Sequence, residues 1–384
     1  PYEQLPLSDD FSIVPSDYYK ANGGVVFPNP NAPTGKLMPL DEIEDIIEHN
    51  QDVIVVVDEA YVDFGGESAL PLIDKYDNVI VVQTFSKSRS LAGSRVGFAM
   101  ASPVLIKYLN DVKYSFNSYT MDRITIEAAT AAVKDRAYFE ETTAKVIKTR
   151  EWTKKELKRL GFTFCDSKSN FIFAKPANVS ATKLFEDLKA DNIFVRHFSS
   201  PERINDYLRI SIGTDEQMHT LIKFLVELFM LKKYIYIFLI SMVPLIELRG
   251  AVPVSQVMGL PIVPSFIVCI IANMLPVPII YLFARKVLIW GADKPIIGRF
   301  FSFCLEKGEK GGKKLQAKAG RGLFVALLLF VGIPLPGTGA WTGTLAASIL
   351  DMDFKSTVAA VMLGVLLAGM IMMIVSLAGV SIFL

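Results

Sequence analysis

Val79-Ile80-Val81-Val82-Gln83-Thr84-Phe85-Ser86-Lys87 runs four β-branched residues into a lysine flanked by hydroxyls. Val53-Ile54-Val55-Val56-Val57-Asp58-Glu59-Ala60-Tyr61 repeats the arrangement with an aspartate at the end of the run. Short, continuous, β-branched runs are the pattern of strands buried on both faces. Further strands are expected near 25–27, 96–100, 171–174, 193–196 and 207–212. Amphipathic helices are expected over 39–49, 103–111, 120–134, 137–160, 180–190 and 215–228. Strands alternating with helices predict α/β layers around a largely parallel sheet. Ligands collect at the carboxyl ends of such strands, so Asp58 and Lys87 are delivered to one crevice.

Each of these side chains suits one task. The Lys87 amine can condense with an aldehyde. Thr84, Ser86 and Arg95 can hold a phosphate by hydrogen bonds and charge. An aspartate such as Asp58 can keep a pyridinium nitrogen protonated, and the phenol of Tyr61 can hydrogen-bond the ring oxygen. Singly, Asp58 also suits a turn and Lys87 a solvated loop. Their joint order and spacing favours a site for pyridoxal 5'-phosphate.

Three further segments carry a resemblance: Asn29-Pro30-Asn31-Ala32-Pro33-Thr34-Gly35, Ser167-Lys168-Ser169-Asn170-Phe171 and Tyr207-Leu208-Arg209-Ile210-Ser211-Ile212-Gly213. With the Asp58–Phe64 and Lys87–Phe98 segments, they resemble fold-type I aminotransferases, and within them the histidinol-phosphate aminotransferase family, over residues 1–229. The resemblance implies a large domain, incomplete here, over 1–115, and connecting helices with a small domain over 116–229. It implies amino transfer between histidinol phosphate and 2-oxoglutarate in histidine synthesis, usually by a homodimer. Lys87 would hold the cofactor and carry the Cα proton. Arg209, assisted by Asn170, would clamp the substrate's anionic group. Arg196 would be a second cation for the substrate phosphate, and it equally suits a surface strand. The family often has asparagine where Ala32 stands, so that contact is lost or passes to Asn31. Threonine-phosphate decarboxylase shares most of these motifs. The resemblance also places Pro1 well inside the large domain. A sheet stripped of neighbouring strands exposes unpaired backbone and apolar side chains, so this form is expected to be inactive or aggregation-prone.

Composition changes near Phe229. Of 40 Lys/Arg and 39 Asp/Glu in 384 residues, residues 230–384 hold only 14 and 6. Apolar stretches lie at about 234–246, 254–284, 323–350 and 356–384, several of them broken by prolines. An all-α integral membrane domain with re-entrant helices is expected over 230–384, in contact with the lipid bilayer. The stretch 291–322, with eight Lys/Arg against three Asp/Glu, is expected on the cytoplasmic side by the positive-inside rule. Residues 1–229 are cytoplasmic by type, so an even number of crossings should separate the two.

Glu247-Leu248-Arg249-Gly250 places two charges inside an apolar region, and Pro334-Leu335-Pro336-Gly337-Thr338-Gly339-Ala340 would break a helix at depth. Intramembrane charges are costly unless paired or hydrated, so Glu247, Arg249, Pro336 and Thr338 are functional candidates. An interfacial charge pair is the plainer alternative. These motifs resemble the small multidrug-export family over essentially all of 230–384. That implies export of small molecules, with lipid handling in distant relatives, and it leaves open a membrane protein whose soluble remnant is incidental. Cys165, Cys269 and Cys304 and the three histidines show no metal-ligand spacing, so no metal is expected. The basic cluster at 307–321 lacks interleaved aromatics, which argues against nucleic acid.

Overall fold

The computed structural model describes residues 2–177, 179–244, 246–292, 294, 302, 322–335 and 337–383. The chain divides into two compact units, Pro1–Val226 and Glu227–Leu384.

The first unit holds two sheets. In the first, β1 (Val25–Pro28), β2 (Val55–Asp58) and β3 (Val79–Thr84) run parallel, and β4 (Gly97–Ala101) returns antiparallel beside β3. Val57 pairs with Phe27 and Val81, and Asp58 with Pro28 and Val82, so three strands finish level. The helix α1 (Leu40–Glu48) buries Ile43, Ile46 and Ile47 against Val55, Val57, Val79 and Val81. Each such side chain contributes roughly 1.5–3 kcal/mol by leaving water. Asp41 and Glu42 occupy its first turn, where the helix dipole favours negative charge. The Asn50 amide donates to Ile46 O (2.8 Å) and closes its far end.

The opposite face is open. Val26 on β1 is 69% exposed. The helices α2 (Pro103–Phe116) and α3 (Arg123–Lys134) bury no side chain among the described residues and expose Tyr108, Val112, Phe116 and Ile124.

The second sheet departs from the parallel expectation. Its strands β5 (Thr163–Phe164), β6 (Phe171–Lys175), β7 (Arg196–His197) and β8 (Leu208–Ser211) lie in the order β5-β6-β8-β7, antiparallel throughout. It follows α4 (Arg136–Arg159), and α5 (Ala181–Ala190) lies between β6 and β7 in the chain. A strand expected at 193–196 begins only at Arg196. Asn192 adopts φ 60° and Ile193 N bonds back to Leu188 O (2.8 Å). Those residues close the C-terminus of α5 instead.

Next comes α6 (Asp215–Met242), longer than the helix expected at 215–228. No glycine or proline interrupts 215–242, so nothing local stops it. In the second unit it is followed by α7 (Glu247–Val257), α8 (Ile262–Met274), α9 (Pro276–Ala292), α10 (Leu323–Gly332), α11 (Ala340–Ile349) and α12 (Phe354–Phe383). The segments Ile262–Phe283 and Phe354–Ala378 are long and apolar enough to cross a membrane. Small residues recur in this core, with Ala251, Ala272, Ala340, Ala347 and Ala360 fully buried. Small side chains let helix backbones approach closely where lipid supplies no hydrophobic drive. Most of 291–322, including the basic cluster, and Cys304 lie outside the described residues.

Glu59 fastens the first unit beside the level strand ends. It is buried and accepts from Ser68 Oγ (2.7 Å), Ala69 N (2.5 Å) and Gln83 Nε2 (2.8 Å). Burial pushes its carboxyl above the usual carboxylate range, against the pull of those donors. Stability from a group raised in this way is fully present below its unfolded pKa, about 4.3. It is lost as pH rises through the folded value. Glutamine does not titrate, so the thermal stability of wild type relative to Glu59→Gln is expected to fall as pH rises from about 4.3 towards neutrality. A difference that stays constant across that range would contradict the burial effect.

Candidate active site and the charged helix break

Past the end of β3 the chain turns sharply. Ser90 N bonds to Lys87 O (3.2 Å) and Leu91 N returns to Phe85 O (2.9 Å). Lys87 is exposed, and its Nζ lies 5.6 Å from the centre of the Tyr61 ring. Ser88 donates to the Asp63 carboxylate, tying the lysine loop to the segment after β2. Asp58 is exposed at the end of β2, and its Oδ1 accepts from Ala60 N (3.0 Å).

Thr84 Oγ1 donates to Ser86 Oγ (2.9 Å) and reaches Val96 O (3.4 Å). Arg95, adjacent to Val96, sits at φ 54° and turns its Nη1 to Ala92 O (3.2 Å). The three candidate phosphate holders therefore lie on one out-and-back segment between β3 and β4.

The Asn31–Gly35 turn is closed by its own side chains. Thr34 donates to Asn31 Oδ1 (2.9 Å), and Gly35 N bonds to Asn31 O (2.7 Å). Gly35 has φ 73°, and a Cβ there would lie 2.3 Å from Ser167 Oγ. Glycine is therefore needed for the turn to meet the 167–169 segment, where Lys168 N bonds to Gly35 O (2.8 Å). Ala32 is exposed and carries no amide.

From Tyr61 the site continues into the second sheet. Its ring meets Phe171 edge-on at 5.1 Å, and the Arg209 guanidinium lies 5.2 Å from the centre of Phe171. Arg209 is half-buried, and its Nε is buried without a hydrogen-bond partner. Arg196 is its Cα partner across β7 and β8, lying against Phe198 at 5.6 Å. Asn170 receives Ile212 N on its carbonyl (2.9 Å), beside Phe171.

The unit is rich in ion pairs. Yet among the described residues none of those pairs involves Asp58, Lys87, Arg95, Arg196 or Arg209. Uncommitted charge on neighbouring elements, with a buried guanidinium nitrogen left over, fits a site built for a phosphorylated, ring-bearing cofactor and an anionic substrate. Glu59, Asp63 and Arg150 form the supporting bonds and were not singled out from sequence. Glu59 and Asp63 stand inside the Asp58–Phe64 motif, whereas Arg150 has no sequence signal.

In the second unit, Glu247 is buried at φ 52°. Its carboxylate accepts from Ala340 N (3.1 Å) and Trp341 N (3.0 Å), the first turn of α11. Arg249 donates to Leu335 O (2.6 Å) and Val331 O (3.3 Å), at and just beyond the end of α10. Negative charge thus meets the positive end of one helix and positive charge the negative end of the other. Thr338 shares Leu335 O as acceptor (2.8 Å) and also donates to Ile333 O (3.0 Å). It serves the same break without touching either charge in the hydrogen bonds described. Pro336 lies outside the described residues.

Residues 247–371 match the family described as "Putative small multi-drug export protein". The first unit is similar to histidinol-phosphate aminotransferases. That of Lactococcus lactis subsp. cremoris is 53% identical over 227 residues, covering 59% of this chain and 64% of that protein. That of Brachyspira hyodysenteriae is 55% identical over 216 residues, covering 56% and 61%. This chain therefore spans somewhat under two thirds of the length of these relatives. A crystal structure titled "Putative histidinol-phosphate aminotransferase", from Erwinia carotovora atroseptica, aligns with a TM-score of 0.53 and 26% identity. It covers 58% of this chain and 66% of that one. A decarboxylase from Sulfurospirillum multivorans, at a TM-score of 0.51 and 24% identity, covers 58% and 68% and shares the fold. Residues 10–225 match Aminotransferase class I and II, more than half of the chain, and the protein belongs to that family.

Proposed function

We propose that the first unit carries out amino transfer between histidinol phosphate and 2-oxoglutarate using pyridoxal 5'-phosphate, and that it is joined to a membrane part exporting small molecules. The observation that carries the first half is the chain of contacts from Lys87 through Tyr61 and Phe171 to Arg209. The bound cofactor supplies an electron-accepting ring that stabilises negative charge at the substrate α-carbon. Asp58 holds the proton on the ring nitrogen, and Tyr61 donates to the ring oxygen. Thr84, Ser86 and Arg95 bind the phosphate, with Asn31 at the edge of the site. Lys87 holds the cofactor at rest and then moves the proton at Cα.

Arg209 and Arg196 face one another across two strands, where like charges destabilise the pair. A phosphate or carboxylate between them would remove that repulsion and satisfy the buried Nε of Arg209. Histidinol phosphate and 2-oxoglutarate each bring such a group, and Asn170 lies beside the position. A homodimer through this unit, with the exposed apolar faces of α2 and α3 available for contact, completes the reading. The second unit lies in the inner or plasma membrane, with the first unit and the 291–322 stretch on the cytoplasmic side. Its two apolar segments and its family match support the membrane location, and the excess of Lys/Arg in 291–322 supports the side.

Cofactor attachment is the first test, because the chain spans under two thirds of its relatives. Pyridoxal phosphate added to the full chain and reduced with borohydride is expected to label Lys87, as located by peptide mass mapping. Lys87→Ala should lose that label, and Asp58→Asn should weaken cofactor affinity by about tenfold through loss of one charge-assisted bond. Labelling confined to other lysines would sink the enzyme reading.

For the membrane part, Gly339 has φ 133°, and a Cβ there would lie 2.2 Å from Glu247 Oε2. Gly339→Ala is expected to destabilise the second unit by roughly 1–3 kcal/mol and to abolish export from proteoliposomes. Glu247→Gln, which cannot accept both amides, should also lose export. Export at the wild-type rate in Glu247→Gln would remove the charge from the mechanism.

A further inference from the structure

The helix α4 is crowded with lysine, arginine, threonine and glutamate, yet one of its arginines points inward. Arg150 is 2% exposed, the largest fully buried side chain of the described residues. Burying a guanidinium is unfavourable unless its donors are used. Its Nη1 donates to Phe64 O (2.7 Å) and to Ser169 O (2.9 Å), and its Nε to Glu151 Oε1 (2.9 Å).

The two carbonyls belong to the two halves of the site. Phe64 closes the 3-10 turn Val62–Phe64 that follows Tyr61 and contains Asp63, the acceptor from Ser88 beside Lys87. Gly65 then turns the chain at φ 100°, where a Cβ would still clear Arg150 Nη2 at 3.7 Å. Ser169 directly precedes Asn170 and Phe171. Phe171 meets the Tyr61 ring edge-on and also lies against the Arg209 guanidinium. One nitrogen thus joins the Tyr61–Phe64 segment, which Asp63 ties to the lysine loop, to the segment that seats Arg209.

We propose that Arg150 is a positioning residue, fixing the separation between the Lys87–Tyr61 face and the Phe171–Arg209 face by gripping both carbonyls. This inference rests on the aminotransferase reading above. Arginine suits the task because its planar fork is pre-organised. A lysine offers a compact charge on a more flexible stem, and a methionine leaves both carbonyls unpaired. Lys87 itself is held independently, by the β2–β3 pairing and by the backbone bonds of its own loop, Ser90 N to Lys87 O and Leu91 N to Phe85 O. Loss of Arg150 should therefore disturb the anion end and spare the lysine end.

The test uses the full chain in detergent with two probes. Inorganic phosphate is titrated calorimetrically, and pyridoxal phosphate is trapped on Lys87 by borohydride. Arg150→Met is expected to weaken phosphate by about tenfold or more, with Lys87 trapping kept within about twofold. Arg150→Lys should fall between Arg150→Met and wild type. Leu188→Ala, which opens a buried site in α5, serves as the control for lost stability. It should lower the unfolding temperature yet leave phosphate affinity within about threefold.

Wild-type phosphate affinity in Arg150→Met overturns the proposal. So does a parallel loss of phosphate binding in Arg150→Met and Leu188→Ala, or a joint loss of phosphate and Lys87 trapping in Arg150→Met. If Arg209→Met binds phosphate as wild type does, the substrate reading itself has failed, and the role of Arg150 falls with it.

Discussion

The level finish of three parallel strands is the constraint on which the first unit depends. The backbone pairing continues one step past the ladder, with Asn29 N bonding to Asp58 O and Glu59 N to Val82 O, both at 2.8 Å. Side chains alternate along β2, with Val55 and Val57 fully buried and Asp58 exposed. A slip of one residue would turn Asp58 into the apolar layer and Val57 out of it. The burial of α1 against this sheet therefore fixes where the carboxylate stands. The same pairing aims β3 so that the lysine loop begins beside the segment after β2. Local side-chain bonds, Gln83 to Glu59 and Ser88 to Asp63 among them, secure a placement already made by the register.

Much of this was readable in the residues. Continuous β-branched runs mark β2 and β3 because no polar alternation interrupts them, although the second face of the sheet is open here, with Val26 exposed. The 3.6-residue spacing of Leu40, Ile43, Ile46 and Ile47 marks α1 just as clearly, because one face of the helix is wholly apolar. Where the reading missed, competing local chemistry had won. Ile193, Phe194 and Val195 have strand-like composition, but the Asn192 turn claims the first of them for the end of α5. The antiparallel order of the second sheet was hidden because β5 and β7 are two residues long. Strand direction lies in the connections, and strands so short carry almost no periodicity.

The site was legible to the extent that its residues stand in short motifs. Asp58, Tyr61 and Lys87 follow strands, and their neighbourhood could be inferred from topology alone. Arg150 could not. It stands among other cations in a helix whose composition reads as solvated throughout, and only packing separates it from its neighbours. Buried polar residues on charged helices escape pattern reading because the pattern registers residue type, whereas their role depends on which carbonyls happen to lie within reach.

Three charges of the two units, Arg150, Glu247 and the half-buried Arg249, share one habit. Arg150 turns its Nη1 donors to two carbonyls, Glu247 its oxygens to two amides, and Arg249 its donors to two carbonyls near a helix end. Each charge is compensated by main chain, so each fixes a backbone position that packing alone would leave loose. Against that habit the Arg209 Nε stands apart, because it is buried and bonded to nothing. An unpaired buried donor costs about 1–3 kcal/mol, and a chain that satisfies its other interior charges so fully would not carry that cost for stability. An anion supplied from solution recovers it, and recovers it only when bound. Asn273, Trp341, Thr344 and Thr357 also leave a buried polar atom unpaired, so among these atoms it is the charge of Arg209 that suits the anion contact proposed above. The cross-strand opposition of Arg196 gives the same direction of charge from an independent element.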